Sequence, residues 1–202
     1  MFVKICGLRT REHVDAAIAA GADAVGFVFA ESVRRIDPVA AAEITDSVPD
    51  DVRTVAVMLH PSNDEWQDVL AGFQPDVLQT DAEDFATLDV PASIERWPVY
   101  RERNKVADPI ILDLKGSATF LYEGAKSGQG ETVDWSRAAK IAGQGNMILA
   151  GGLAPGNVAA AIRAVRPWGV DVSSGVEAAP GQKDSRRIQA FISAARAAEK
   201  EL

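Results

Sequence analysis

The chain has 202 residues, 47% hydrophobic and 25% charged, which is enough apolar material for a substantial core without disulfides or metals. One cysteine and two histidines leave no intramolecular disulfide and speak against a Cys/His metal cage, as suits a reducing cytoplasm. A net charge of −8 argues against a nucleic-acid or acidic-membrane binder.

No apolar run approaches the ~18 residues needed to cross a bilayer. The first residues lack a basic region followed by a long apolar stretch, so no signal peptide is expected.

Short apolar runs recur, each followed by a turn and an Ala-rich or periodic segment. FVKI (2–5) precedes a predicted helix over 11–20. AVGFVF (24–29) precedes one over about 38–47, with Asp37 as its cap ahead of Pro38. VRTVAVML (52–59) precedes 62–72, where Ser62 and Glu65 have capping-box spacing. DVLQT (76–80) leads into a short acidic segment, 81–88, and WPVYR (97–101) reads as a strand. One more strand is expected between 105 and 125. The stretch 102–118, RERNKVADPIILDLKGS, is the least readable, and its PIILDL follows VYR too closely to leave room for much helix. MILAGG (147–152) precedes a helix over 155–165, and WGVDVSSG (168–175) precedes a last one over about 184–199.

Alternation of buried-type strands with amphipathic helices is the signature of a parallel α/β protein. Eight such units in this length predict a single (β/α)8 barrel over 1–202, its fifth helix short or irregular. A doubly wound open sheet is the alternative, weakened because no GxGxxG follows the first strand.

In a barrel the loops after the strands gather at one face and form the active site there. Cys6 ends the first strand, Arg34 and Arg35 follow the second, and Gln79 and Asp81 follow the fourth. Glu123 ends the run TFLY ahead of Gly124, Gly128 and Gly130. AGG, with Gly151 and Gly152, follows the seventh strand, and SSG (Ser173, Ser174 and Gly175) follows the eighth. Three Gly/Ser clusters on these strands favour a phosphate site over tight turns alone, because glycine permits close backbone approach. Cys6 taken alone reads more readily as a small buried hydrophobe than as a reactive thiol. Glu123 reads as a functional carboxylate or a solvated loop acid. Arg34 and Arg35 read as surface charges, or one of them pairs in bidentate fashion with a substrate carboxylate. His13 and His60 receive no role.

The ordered set VKICGLRT, GADAVGFVFAESVRRIDP, SGQGETVDWS, ILAGGLAPGNV and GVDVSSGVEAAPGQKD resembles the phosphoribosylanthranilate isomerase family of tryptophan biosynthesis, from Val3 to about Phe191. The resemblance implies a (β/α)8 barrel that performs an Amadori rearrangement without cofactor or metal. It implies a cysteine general base, matched by Cys6, and an arginine near the anthranilate carboxylate, matched by Arg34. It also implies a phosphate site from SGQG (Gly128, Gly130), AGG and SSG. Asp171, in DVSSG, matches a residue near the substrate ribose and amine, and Gln79 is kept from the family's QLHG. A small phosphoribosyl substrate, no nucleic acid or membrane partner, a cytoplasmic location and a monomer are the matching expectations.

The chain departs from the pattern twice. The family's acid is an Asp at the end of strand six, shortly before the Gly-rich loop. Here Glu123 holds that place, and Asp113 in IILD is the competing candidate. Glu123 is favoured, because choosing Asp113 leaves almost no fifth connection. Second, Asp81 stands where many members have histidine. The alternatives are a sister isomerase of histidine biosynthesis, a dual-substrate enzyme, and a non-catalytic phosphate-ligand barrel. A carboxylate base on strand one would mark the sister isomerase, and Cys6 disfavours it.

Overall fold

A computed structural model describes residues 1–102, 117–124 and 132–202. Eight parallel strands close into a barrel in chain order: β1 (Phe2–Cys6), β2 (Ala24–Val28), β3 (Arg53–Val57), β4 (Val77–Asp81), β5 (Glu95–Arg101), β6 (Thr119–Glu123), β7 (Asn146–Leu149) and β8 (Gly169–Val172). The ring closes where β1 pairs with β8, with Lys4 opposite Asp171. The expected strand between 105 and 125 is β6. PIILDL and Asp113 lie outside the described residues, as does most of the fifth connection.

Around the barrel run α1 (Arg11–Ala19), α2 (Pro38–Thr45), α3 (Asn63–Gly72), α4 (Trp135–Ile141), α5 (Val158–Val165) and α6 (Ser185–Glu199). Their starts follow local chemistry. The Asp37 side chain accepts from the Val39 and Ala40 amides ahead of Pro38. Ser62 and Glu65 form the reciprocal capping box. Asp134 caps α4, a helix the sequence reading did not draw, by accepting from the Ser136 and Arg137 amides. The acidic 81–88 segment holds one 3-10 turn, Asp84–Ala86. The predicted 155–165 helix begins only at Val158, because Asn157 is used to tie the preceding turn. Its Oδ1 accepts from the Ala154 amide (2.8 Å) and its Nδ2 donates to the Gly152 carbonyl (2.9 Å). A small antiparallel hairpin, β9 (Glu177–Ala179) and β10 (Gln182–Lys183), was also not foreseen.

The core has two layers. Outward-facing strand residues such as Ile5, Phe27, Phe120 and Leu149 pack against helix residues such as Trp66, Ile162 and Phe191. Inside the barrel sit Ala24, Val55, Val77, Trp97, Val99, Leu121, Ile148 and Ala150. Each large side chain so buried contributes roughly 1.5–3 kcal/mol of transfer free energy. The Trp97 ring meets Phe2 edge-on at 5.7 Å, and Phe2 stacks on Trp168 at 4.5 Å. These rings fill the end of the barrel at which the strands begin, and the opposite end carries the site. Among the described residues no helix is long and apolar enough to cross a membrane.

Candidate active site

Alternate residues of a barrel strand face inward. The last inward position of several strands therefore reaches the same rim. Cys6 on β1, Gln79 on β4, Arg101 on β5, Glu123 on β6 and Asp171 on β8 all line one cavity of about 180 Å³. The loops after β2, β7 and β8 complete it with Arg34, Gly151, Gly152, Ser173 and Ser174. Most of the sequence-predicted residues thus come together. Asp113, Gly128 and Gly130 lie outside the described residues, Arg35 and Gly175 do not line the cavity, and Asp81 supports the rim without lining it.

The thiol sits above a buried ammonium. Lys4 is fully buried, and its Nζ donates to Asp171 Oδ1 at 2.8 Å. Burial alone pulls its pKa down, but Asp171 and Cys6 more than offset this and hold it above the ordinary lysine range, so it stays protonated. Gly26 on β2 makes the room. A Cβ built there would lie 3.2 Å from Lys4 Nζ and 3.3 Å from Cys6 Sγ. Burial pushes the Cys6 thiol up, Lys4 and Lys183 pull it down, and Asp171 pushes it up. The net effect is upward, so the two ammonium groups reduce a rise that burial sets.

Arg34 is clamped. Its Nε and Nη2 donate to Glu177 Oε1 and Oε2 at 2.7 and 2.9 Å. The bidentate edge expected to meet a substrate carboxylate is therefore taken by a protein carboxylate from the hairpin. The guanidinium still lines the cavity. Lys183 Nζ donates at 2.8 Å to Glu177 Oε1, the oxygen that Arg34 Nε also reaches, and to the carbonyl and hydroxyl of Ser173 (3.0 and 3.2 Å). Burial would raise the Glu177 pKa, but hydrogen bonds from Arg34 and Lys183 hold it at about 2. Ser173 Oγ donates in turn to the Cys6 carbonyl at 3.2 Å. The hairpin thus ties the Arg34 loop, the β8 loop and the thiol's own backbone together.

The opposite wall holds Glu123. Arg101 is its register partner on β5, and Arg101 Nη1 donates to Glu123 Oε1. The same guanidinium donates to Asp81 from Nε (3.0 and 2.9 Å) and from Nη2 (2.6 Å). His60, assigned no role from the sequence, lies at this rim with Nε2 at 3.6 Å from Asp81 Oδ2 and Nδ1 at 3.0 Å from Asp84 Oδ1.

The β7 and β8 loops carry the glycine clusters. Gly151 and Gly152 have φ of 90° and 61°, which only glycine adopts without strain. Gly175 has a different task. A Cβ there would lie 2.0 Å from the Leu153 carbonyl oxygen, so this glycine lets the β8 loop seat directly on the β7 loop.

Sequence reading missed Arg101, Glu177 and Lys183. Arg101 had a signal, because it keeps the inward parity of Trp97 and Val99. Lys183 lay within PGQKD, quoted as a motif but given no task.

The model of the N-(5'-phosphoribosyl)anthranilate isomerase family matches residues 3–194. The chain belongs to that family. With it, the chain is an isomerase of tryptophan biosynthesis. The N-(5'-phosphoribosyl)anthranilate isomerase of Roseiflexus sp. (strain RS-1) is 41% identical, over 97% of this chain and 98% of its own. Among solved structures, phosphoribosyl anthranilate isomerase from Thermus thermophilus superposes with a TM-score of 0.84 at 30% identity, covering 98% of this chain and 99% of its own. A phosphoribosyl anthranilate isomerase in complex with reduced 1-(o-carboxyphenylamino)-1-deoxyribulose 5-phosphate superposes with a TM-score of 0.76 at 31% identity, covering 98% and 99%.

Proposed function

We propose that this isomerase converts N-(5-phosphoribosyl)anthranilate to 1-(2-carboxyphenylamino)-1-deoxyribulose 5-phosphate with Cys6 as general base and Glu123 as general acid. The observation that carries the assignment is that both side chains reach one cavity from opposite walls of the barrel, with Arg34, Gln79 and Asp171 beside them.

Protonated Glu123 donates to the ribose ring oxygen as the C1–O bond breaks, and the nitrogen lone pair forms the Schiff base. Cys6 thiolate then takes the proton from C2. The resulting enolamine gains a proton at C1 and loses the hydroxyl proton at C2, giving the ketose. Acid and base need opposite protonation states, and the two groups stand in separate environments. On one side Lys4 favours the thiolate. On the other, the carboxyl is shared with Arg101.

Substrate contacts follow from what the site leaves open. Gln79 is buried, and among the described residues its Oε1 has no hydrogen-bond partner, so it suits a substrate hydroxyl or amine donor. Arg34, its Nε and Nη2 committed to Glu177, offers its remaining edge to the anthranilate carboxylate. Gly151, Gly152, Ser173 and Ser174 are assigned to the phosphate. Gly128 and Gly130 extend that assignment to the loop after β6. The reading also has a single barrel domain acting as a monomer, in a cytoplasm that keeps Cys6 reduced.

The test is an assay in which anthranilate and phosphoribosyl pyrophosphate are coupled by the preceding transferase. Cys6→Ser and Glu123→Gln should each lower kcat by about 100-fold or more with little change in KM. Normal turnover in Glu123→Gln beside a dead Asp113→Asn would move the acid to Asp113.

A further inference from the structure

One side chain joins the carboxylates at positions 81 and 123. Arg101 holds Asp81 along its Nε–Nη2 edge and Glu123 through Nη1. The three side chains are 17%, 6% and 12% exposed. Alone with Arg101, a buried carboxylic acid is drawn toward its ionised form, the wrong one for a proton donor. A second carboxylate on the same guanidinium opposes that pull, whatever else meets Glu123, because like charges a few ångströms apart resist joint ionisation.

We infer that Arg101 is a positioning residue that fixes the longer Glu123 side chain, and that Asp81 is the counter-charge that lets Arg101 do so without stripping the acid of its proton. The inference rests on Glu123 being the general acid.

The other titratable or charged groups around this part of the site are few among the described residues. His60 stands beside Asp81, with Asp84 behind it. Cys6, Glu31, Arg34 and Asp171 line the rest of the same cavity, with Lys4 beneath. His60 is largely exposed, and its hydrogen bond with Asp84 raises its pKa, so its protonation as the pH falls changes the charge beside Asp81.

The experiment is the pH profile of kcat for wild type, Asp81→Asn, Arg101→Gln and Glu123→Gln. Asparagine keeps the shape and an acceptor but removes the counter-charge. In Asp81→Asn the alkaline-side kcat should fall by about tenfold, matching a shift of one pKa unit in the acid. The acidic-side kcat should stay within about twofold. Arg101→Gln should lower kcat throughout, yet raise the ratio of alkaline to acidic rates. An unchanged Asp81→Asn profile, or a uniform fall at every pH, overturns the inference, as does a ratio in Arg101→Gln that stays level or falls. If Asp81→Asn fails to fold, the sign of the Arg101→Gln change decides alone. Full activity in Glu123→Gln would instead remove the acid assignment itself, a result distinct from either.

Discussion

Lys4 and Asp171 are register partners across the seam between β1 and β8, and their side chains meet at 2.8 Å inside the barrel. The pair places a buried positive charge beneath the Cys6 thiol. Lys4 lowers the thiol's pKa, so replacing it with methionine should raise that pKa. The expected result is a fall in kcat on the acidic side of the profile with the alkaline side spared, and slower alkylation of Cys6 by iodoacetamide at neutral pH. Asp171 is left without its partner, so the melting temperature should also drop, by the equivalent of about 3–5 kcal/mol.

Gly26→Ala separates the chemistry from the stability. The added methyl would stand 3.1 Å from Lys4 Cε, 3.2 Å from Nζ and 3.3 Å from Cys6 Sγ. These are side-chain ends, so they yield by a few tenths of an ångström and the fold survives. Thiol and ammonium are pushed apart, and kcat should fall by about tenfold or more while KM and thermal stability change little.

Gly175→Ala tests the seating of the two loops. Its Cβ would meet the Leu153 carbonyl oxygen at 2.0 Å and the Ala154 Cα at 3.0 Å, both backbone atoms. The loops must separate. KM for the phosphorylated substrate, and Ki for inorganic phosphate as a competitor, should rise well before kcat does.

Glu177 gives the pH dependence of stability a definite sign. Its folded pKa of about 2 lies below the usual ~4.3 of an unfolded glutamate. Its contribution is therefore complete above pH ~4.5 and is lost as the pH falls toward 2. Glu177→Gln should flatten the melting temperature over that window. At neutral pH it should lower the melting temperature, because Arg34 and Lys183 lose their shared counter-ion. The same variant should raise KM, because Arg34 loses its clamp.

The sequence carried the barrel and most of its rim because both rest on short-range regularities. Buried strand runs and the cap at Asp37 are local, and position at the C-terminal end of a strand run marks Cys6, Gln79 and Glu123 without any knowledge of neighbours. Arg101 was not legible in the same way. Its two carboxylates come from strands 20 and 22 residues away, and only the register of β4, β5 and β6 brings them to one guanidinium. The β9–β10 hairpin was missed because two- and three-residue strands leave no periodic pattern. The Glu177 clamp on Arg34 was not legible either, because the two residues stand 143 positions apart.

The closure of β1 on β8 also sets the order in which function can arise during folding. Lys4 and Asp171 are 167 positions apart, as are Ser173 and the Cys6 carbonyl it bonds. Loop-closure entropy makes contacts of such separation late ones. Helices and neighbouring strand pairs can form while the thiol still lacks its counter-charges and the β8 loop its anchor. Catalytic competence is then born at the last suture of the ring, and recovery of turnover after dilution from denaturant should trail the recovery of helical circular dichroism.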